Sequence, residues 1–443
     1  MTAPLATPPE TKLDPNRVMS PAAAAVADQI VDPAVYADQA RLDDAFARLR
    51  REDPVAWCEP QNFRPFWALT KHADIMEVSR QNTLFTNGER EMLSLKDIER
   101  QVYADLGGPH LLKTLVQLDD PLHYKLRHLT QEWFMPQNVK QRSDAVQAIA
   151  REFVDRMEDM GGACDFQQDI ALHYPLRVIM QILGVPEADE PMMLKLTQEI
   201  FGAADEDLMR DKSLIQSEDS AAGVESIQQT LAAFFMYFSN ITKDRRQTPR
   251  DDVSTVIANG QIDGAPIGDL EAMSYYVIVA AAGHDTTSAS TGGGVLAMLQ
   301  SPDQLSKMMG DPKGLSKTAV DEAIRWTTPV KHFMRTAQAD YELRGRTVLE
   351  GESLLLCYPS ANRDEDVFEA PYEFRVDRSP NRIASFGYGG HMCLGMHLAR
   401  LEMQALYEEL FSRIKTIELD GAPSFIKANF VGGPKSIPVR YRF

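Results

Sequence analysis

A chain of 443 residues with 44% apolar and 25% charged side chains can bury a sizeable core and does not have the composition of a disordered protein. Its formal charge of −18 argues against general binding to nucleic-acid phosphates, which needs a basic face. The four cysteines, Cys58, Cys164, Cys357 and Cys393, are far apart and form no C-x-x-C pair, so neither a zinc site of the usual spacing nor a disulfide scaffold is expected, and a reducing cytoplasm suits them.

Residues 1–30 are rich in Pro and Ala and are expected to form a flexible arm, with no signal peptide and no apolar membrane anchor. Helical periodicity then dominates, over 43–51, 137–160, 189–201, 225–245 and a long stretch from about 268 to 300. Short β-like segments at 66–70 and 353–358 fall between helices without alternating regularly with them. That mixture predicts a mainly α chain with small β-sheets, not a doubly wound α/β fold. No repeat and no Gly/Ser linker splits the chain, although length alone suggests about three domains.

Four places carry chemistry. Asp120 and Pro121, a capping acid and a first-turn proline, open a helix on which His123 and Arg127, four apart, share one face. Without context, two such cations are ordinary surface residues. In the long helix an apolar run, 277–282, is interrupted by Gly283, His284, Asp285, Thr286 and Thr287. An acid and hydroxyls inside an apolar helix are costly without partners or a task, and a glycine beside threonines is where a helix ladder can open. A satisfied cluster that bends a core helix is the plainer reading. Glu322 and Arg325 form an i, i+3 ion pair, a pattern usual on solvated faces. Last, the stretch F-G-Y-G-G-H-M-C-L-G from Phe386 to Gly395 sets glycines before one cysteine, so the backbone can turn tightly against a flat object. Leu394, Leu398, Leu401 and Ala405 follow at helical spacing, putting Cys393 at the start of an amphipathic helix whose positive end lowers a thiol's pKa toward the thiolate. A buried structural cysteine is the alternative.

Phe386, Gly389, Cys393 and Gly395 match the pattern F-x-x-G-x-x-x-C-x-G, and by this highly specific signature the chain resembles the cytochromes P450. The resemblance runs from about residue 35 to the C-terminus, and over 325–337, 358–368, 387–403 and 429–435 it is strongest to the α-terpineol hydroxylase subfamily. It implies a triangular, mainly helical haem-thiolate domain over 31–443, haem b as cofactor and Cys393 as axial ligand, whose thiolate pushes electron density onto iron. It makes His391, His123, Arg127 and Arg335 contacts of the haem propionates, arginine offering a carboxylate a bidentate fork. It places Asp285 and Thr286 in an acid–alcohol pair that organises protons for dioxygen cleavage, and Gly283 where the helix opens beside iron. Glu322, Arg325 and Arg378 become an ion-paired brace for the haem-binding loop.

The resemblance further implies a cytoplasmic, monomeric monooxygenase that hydroxylates a small hydrophobic terpenoid or aromatic with dioxygen. Electrons would come from an iron–sulfur ferredoxin and its flavoprotein reductase, since no G-x-G-x-x-G nucleotide fingerprint follows a strand. The ferredoxin is expected to dock near Lys125, Arg142 and Arg400; neither nucleic acid nor membrane is an expected partner. Val279, Ala282, Val330, Phe333 and Phe430 are expected to line an apolar pocket, roofed by 88–95, where Glu89, Arg90 and Glu91 could offer a polar contact to a hydroxyl. Two rival readings differ in the proton pair. A peroxide-driven peroxygenase typically lacks it, and a haem-binding sensor would not need it.

Overall fold

The computed structural model describes Pro8, Asp14 and residues 16–110, 112–201 and 220–443. Helices Ser143–Asp159, His173–Leu183, Asp269–Ala282, Asp285–Gln300, Pro312–Thr327 and Met396–Arg413 bury their apolar faces in one continuous core. Their ends carry the punctuation expected of helix starts. Asp311 accepts from Gly314 N–H ahead of Pro312, and Asp252 accepts from Thr255 N–H at the start of Val253–Ala258. Among the described residues no helix is long and apolar enough to cross a membrane.

The largest sheet has five strands, in the order Val55–Cys58, Phe66–Leu69, Ser353–Cys357, His332–Ala337, Phe85–Thr86. Three of its strands are buried along their whole length, the edge strand Val55–Cys58 included, which is why V-A-W-C, F-W-A-L and S-L-L-L-C read as near-continuous apolar runs. Alternate residues divide between two cores: Ala56, Cys58, Phe66 and Leu355 pack toward the N-terminal helices, and Trp57, Trp67, Leu354 and Leu356 toward the opposite side. The mainly α chain with small sheets is as expected. The predicted helices 43–51 and 189–201 correspond to Gln39–Glu52 and Glu190–Phe201, and 225–245 falls inside Ser220–Gln247.

Three expectations change. The flexible arm does not extend to residue 30, because Ser20 caps a helix, Pro21–Val26, whose Ala22, Ala23 and Val26 are buried against the sheet. Arg17 is already anchored, its guanidinium 4.8 and 4.5 Å from the ring centroids of Trp57 and Trp67 and ion-paired with Glu352. Residues 1–7, 9–13 and 15 of the expected arm lie outside the described residues. The pattern over 137–160 is two helices, Pro136–Lys140 and Ser143–Asp159, where Ser143 Oγ donates to Lys140 O at 2.6 Å and takes a carbonyl from the ladder. The long helix from 268 to 300 divides into Asp269–Ala282 and Asp285–Gln300, with His284 between them at φ −95°, ψ −70°.

Candidate active site

Cys393 sits in a loop that glycine alone can form. Gly389 has φ +70°, and a Cβ there would fall 2.1 Å from Ser79 O. Cys393 N–H donates to Phe386 O at 2.8 Å, closing the loop just ahead of the Met396–Arg413 helix, and the Arg400 guanidinium covers the Phe386 ring at 4.6 Å. Cys393 lines a cavity and keeps accessible surface there, although protein atoms surround it closely. Burial therefore raises its pKa, against the opposing pull of Gly395 N–H, Arg127 and Arg400. Desolvation is thus the largest influence on this thiol, and metal binding would complete the deprotonation that Gly395 N–H and the two guanidinium groups favour.

The cavity has a volume of about 230 Å³. One end collects four bases. The Leu122–Gln131 helix brings His123 and Arg127, the His332–Ala337 strand brings Arg335, and the cysteine loop brings His391, all four lining the cavity. The His123 and His391 rings stack at 4.0 Å, and His123 Nε2 is buried without a hydrogen-bond partner. Arg127 donates to Met392 O and Arg335 to Met334 O, each at 2.7 Å, and neither pairs with a carboxylate among the described residues. Burial together with Arg335, His123 and Arg127 pushes the His391 pKa down to about 2. Buried charges of one sign are costly unless an anion joins them. A thiol facing that end of the same cavity, and Gly395, where a Cβ would meet nothing within 4 Å, complete a cradle that fits haem: Cys393 would hold iron and the four bases its two carboxylates.

The acid and alcohol face different spaces. Thr286 and Gly283 line the large cavity, whereas Asp285 lines a second one of about 50 Å³ with Gln167, Gln198, Ser288 and Lys435. Thr286 Oγ1 donates to Ala282 O at 2.9 Å, and Asp285 Oδ1 lies 3.3 Å from His284 Nδ1 while its Oδ2 is buried and unpartnered. Burial raises the Asp285 pKa, and His284 opposes the rise. Gly283 also has a packing duty, since a Cβ there would stand 2.9 Å from Ile179 Cδ1.

A family model described as Cytochrome P450 matches residues 315–437. A Pseudomonas protein named Cytochrome P450-terp is 46% identical over 418 residues, covering 94% of this chain and 97% of that one. The chain belongs to the cytochrome P450 family. It is a haem-binding monooxygenase by that membership. The crystal structure of a Novosphingobium aromaticivorans P450 overlays with a TM-score of 0.86 at 43% identity, over 95% of this chain and 98% of the other. A Mycobacterium marinum P450 in complex with pseudoionone gives 0.84 at 29% identity, over 97% and 100%.

In this P450 the Glu322–Arg325 pair is not on a solvated face; both side chains are 0% exposed. Arg325 binds Glu322 through two nitrogens at 2.7 and 2.8 Å, and Arg378 Nε adds contacts of 3.0 and 3.1 Å to the same carboxylate. Arg325 also donates to the carbonyls of Asn362, Pro371 and Glu373, tying the helix to the chain before the cysteine loop. Glu322→Ala leaves two buried guanidinium groups without their carboxylate. It is expected to cost about 3–5 kcal/mol and to lower haem retention on heating, followed by Soret absorbance. A Glu52→Ala control, which breaks exposed pairs with Arg48 and Arg51, should leave haem retention unchanged.

Of the predicted pocket residues, Val279, Ala282, Val330 and Phe333 line the cavity. Phe430 does not: it stands behind Phe333, ring centroids 5.5 Å apart. The 88–95 segment contributes no lining residue, because its buried charges turn sideways, Arg90 to Glu99 at 3.0 Å and Glu91 to Gln117 Nε2 at 2.9 Å. Its neighbour Asn87 lines the cavity instead, as do Val116, Phe134, Ile179 and Glu402, which the sequence reading missed because no local pattern marks them. The cations expected to dock a ferredoxin are each paired: Lys125 with Asp263 at 2.6 Å, Arg142 with Asp251 at 2.7 Å and Arg400 with Asp321 at 2.7 Å.

Proposed function

We propose that this P450 hydroxylates a small, uncharged, apolar molecule of terpenoid or aromatic type, with Cys393 as haem ligand and Asp285 and Thr286 handling protons. The observation that carries the reading is a single cavity in which Cys393 and Thr286 share walls otherwise built largely of side chains such as Val279, Ala282, Val330 and Phe333. Haem held there would supply dioxygen activation and the transfer of one oxygen atom to the substrate. The apolar wall gains about 25 cal/mol for each Å² of hydrocarbon it covers. The basic residues of the lining are the four at the carboxylate-binding end, which leaves none elsewhere to receive an acidic substrate. Cytochrome P450-terp and the relative crystallised with pseudoionone support a terpenoid-sized molecule.

The separation of Asp285 from Thr286 supports a division of labour. Asp285 takes up a proton from the second cavity, which has room for a few waters, and Thr286 presents it inside the pocket. Substrate and incoming protons then need not share a path. A ferredoxin, itself reduced by a flavoprotein, supplies electrons. The exposed pairs at Lys125 and Arg142 are worth about 0–1 kcal/mol each, so an acidic partner can displace Asp263 and Asp251.

Titration of the ferric protein with α-terpineol, p-cymene, biphenyl and lauric acid tests the substrate class. The cyclic compounds are expected to shift the Soret band by excluding water from the pocket. A response to lauric acid alone would overturn the reading.

A further inference from the structure

We infer that His332 is a positioning residue for the substrate: its neutral ring clamps two loops to the strand that carries Phe333, and so sets the shape of the pocket wall. This rests on the reading of the large cavity as the substrate pocket. His332 opens the His332–Ala337 strand, on which Phe333 and Arg335 border the cavity while Met334 packs into the core behind it. The buried ring uses both nitrogens. Leu93 N–H donates to Nε2 at 3.0 Å, and Nδ1 lies 2.8 Å from Asn429 O. A backbone N–H only donates and a carbonyl only accepts, so the ring is neutral with its proton on Nδ1. Burial, with Arg90 nearby, pushes its pKa down to about 3, so this form persists at physiological pH.

The two clamped loops are far apart in sequence. The first leaves the cavity wall at Asn87 and is pinned again where Met334 N–H donates to Glu91 O at 2.7 Å. The second is pinned by Lys331 N–H to Phe430 O at 2.8 Å and by the Val330–Val431 bridge. His332 touches both, and its ring lies 5.4 Å from that of Phe430, which stands edge-on to Phe333. A displaced clamp would therefore move an aromatic wall of the pocket. For a hydrocarbon held by few polar contacts, the shape of that wall decides which carbon is presented.

The test compares wild type with three variants. His332→Phe keeps the ring's bulk and loses both contacts; His332→Gln can offer an oxygen to Leu93 N–H, and His332→Asn an N–H to Asn429 O. Leaving a buried donor and acceptor unmet shifts the pinned-to-released loop equilibrium by roughly 5- to 100-fold. His332→Phe is expected to retain haem and the spectrum of the reduced carbon monoxide complex, and to bind imidazole as wild type does. Its association rate for 4-phenylimidazole, a bulky haem ligand, should change by about fivefold or more, and its product ratio from α-terpineol should broaden. The Gln and Asn variants should each recover part of both. Wild-type azole kinetics and product ratio in His332→Phe, with only thermal stability lowered, would overturn the inference. If wild type does not oxidise α-terpineol, the substrate reading fails while the azole kinetics still decide on His332. If His332→Phe does not fold, the Gln and Asn variants decide by the same kinetics.

Discussion

Replacing Cys393 by alanine is expected to abolish the red-shifted Soret band of the reduced carbon monoxide complex and to reduce turnover to background. Alanine at Cys58, Cys164 or Cys357 should leave both intact. None of these three lines the large cavity. Cys58 and Cys357 are buried in the five-stranded sheet, at 0% and 1% exposure, and Cys164 lies in a strand paired with Pro438–Arg442. Their thiols have little help toward ionisation: burial pushes Cys164 up to about 12 and raises Cys58 and Cys357 well above the ordinary thiol range. Cys393 is raised as well, but it alone has Arg127, Arg400 and the Gly395 N–H pulling the other way in a space that admits a cofactor. Metal binding can complete that pull, because a coordinated thiol gives up its proton. A band that survives Cys393→Ala would assign the ligand to another group.

The second large effect combines a loss of rate with a gain in stability. Asp285→Asn is expected to slow turnover by roughly 10²–10⁴-fold, the usual contribution of a positioned proton donor. Burial raises the Asp285 pKa, so the folded chain holds this proton more tightly than the unfolded chain does. The stability linked to the group is therefore full at low pH and is lost as pH rises through the raised folded value. Asparagine does not ionise and avoids that loss. In calorimetry the variant should match wild type at low pH, and melt higher than wild type once pH rises above the ordinary carboxylate range. Thr286→Ala acts differently. Its hydroxyl donates to Ala282 O, the last residue of the preceding helix, so haem content and substrate-induced Soret shifts should be unchanged. Reducing equivalents should instead appear as hydrogen peroxide, measured against product formed. Unchanged coupling in Thr286→Ala together with an unchanged rate in Asp285→Asn would remove both residues from proton delivery.

Much of this arrangement was legible because it depends on neighbours in the chain. Glycine spacing before Cys393, helical spacing after it, and the four-residue step from His123 to Arg127 report on local backbone, which periodicity reads well. The interruption at Gly283 was likewise visible as polar residues in an apolar helix, and the structure divides the helix there.

What the sequence left open are properties set by atoms distant along the chain. Consecutive residues on a helix differ by about 100° in direction, so spacing shows that Asp285 and Thr286 diverge but not that separate cavities receive them. The Glu322–Arg325 pair looks the same in sequence whether solvated or buried. Arg378 and the carbonyls of Asn362, Pro371 and Glu373 decide, and they arrive from 37 to 56 residues away. The Pro21–Val26 helix is too short to persist alone, and its docking on the sheet makes it stable. For Cys393 the helix end is a local effect, whereas desolvation and the guanidinium groups of Arg127 and Arg400 are tertiary ones. His332 is the plainest case: its two partners lie 239 and 97 residues away, and no local pattern separates it from any other histidine in a strand. Local geometry follows from backbone sterics within a few residues, whereas burial and hydrogen-bond partners exist only once distant segments have packed.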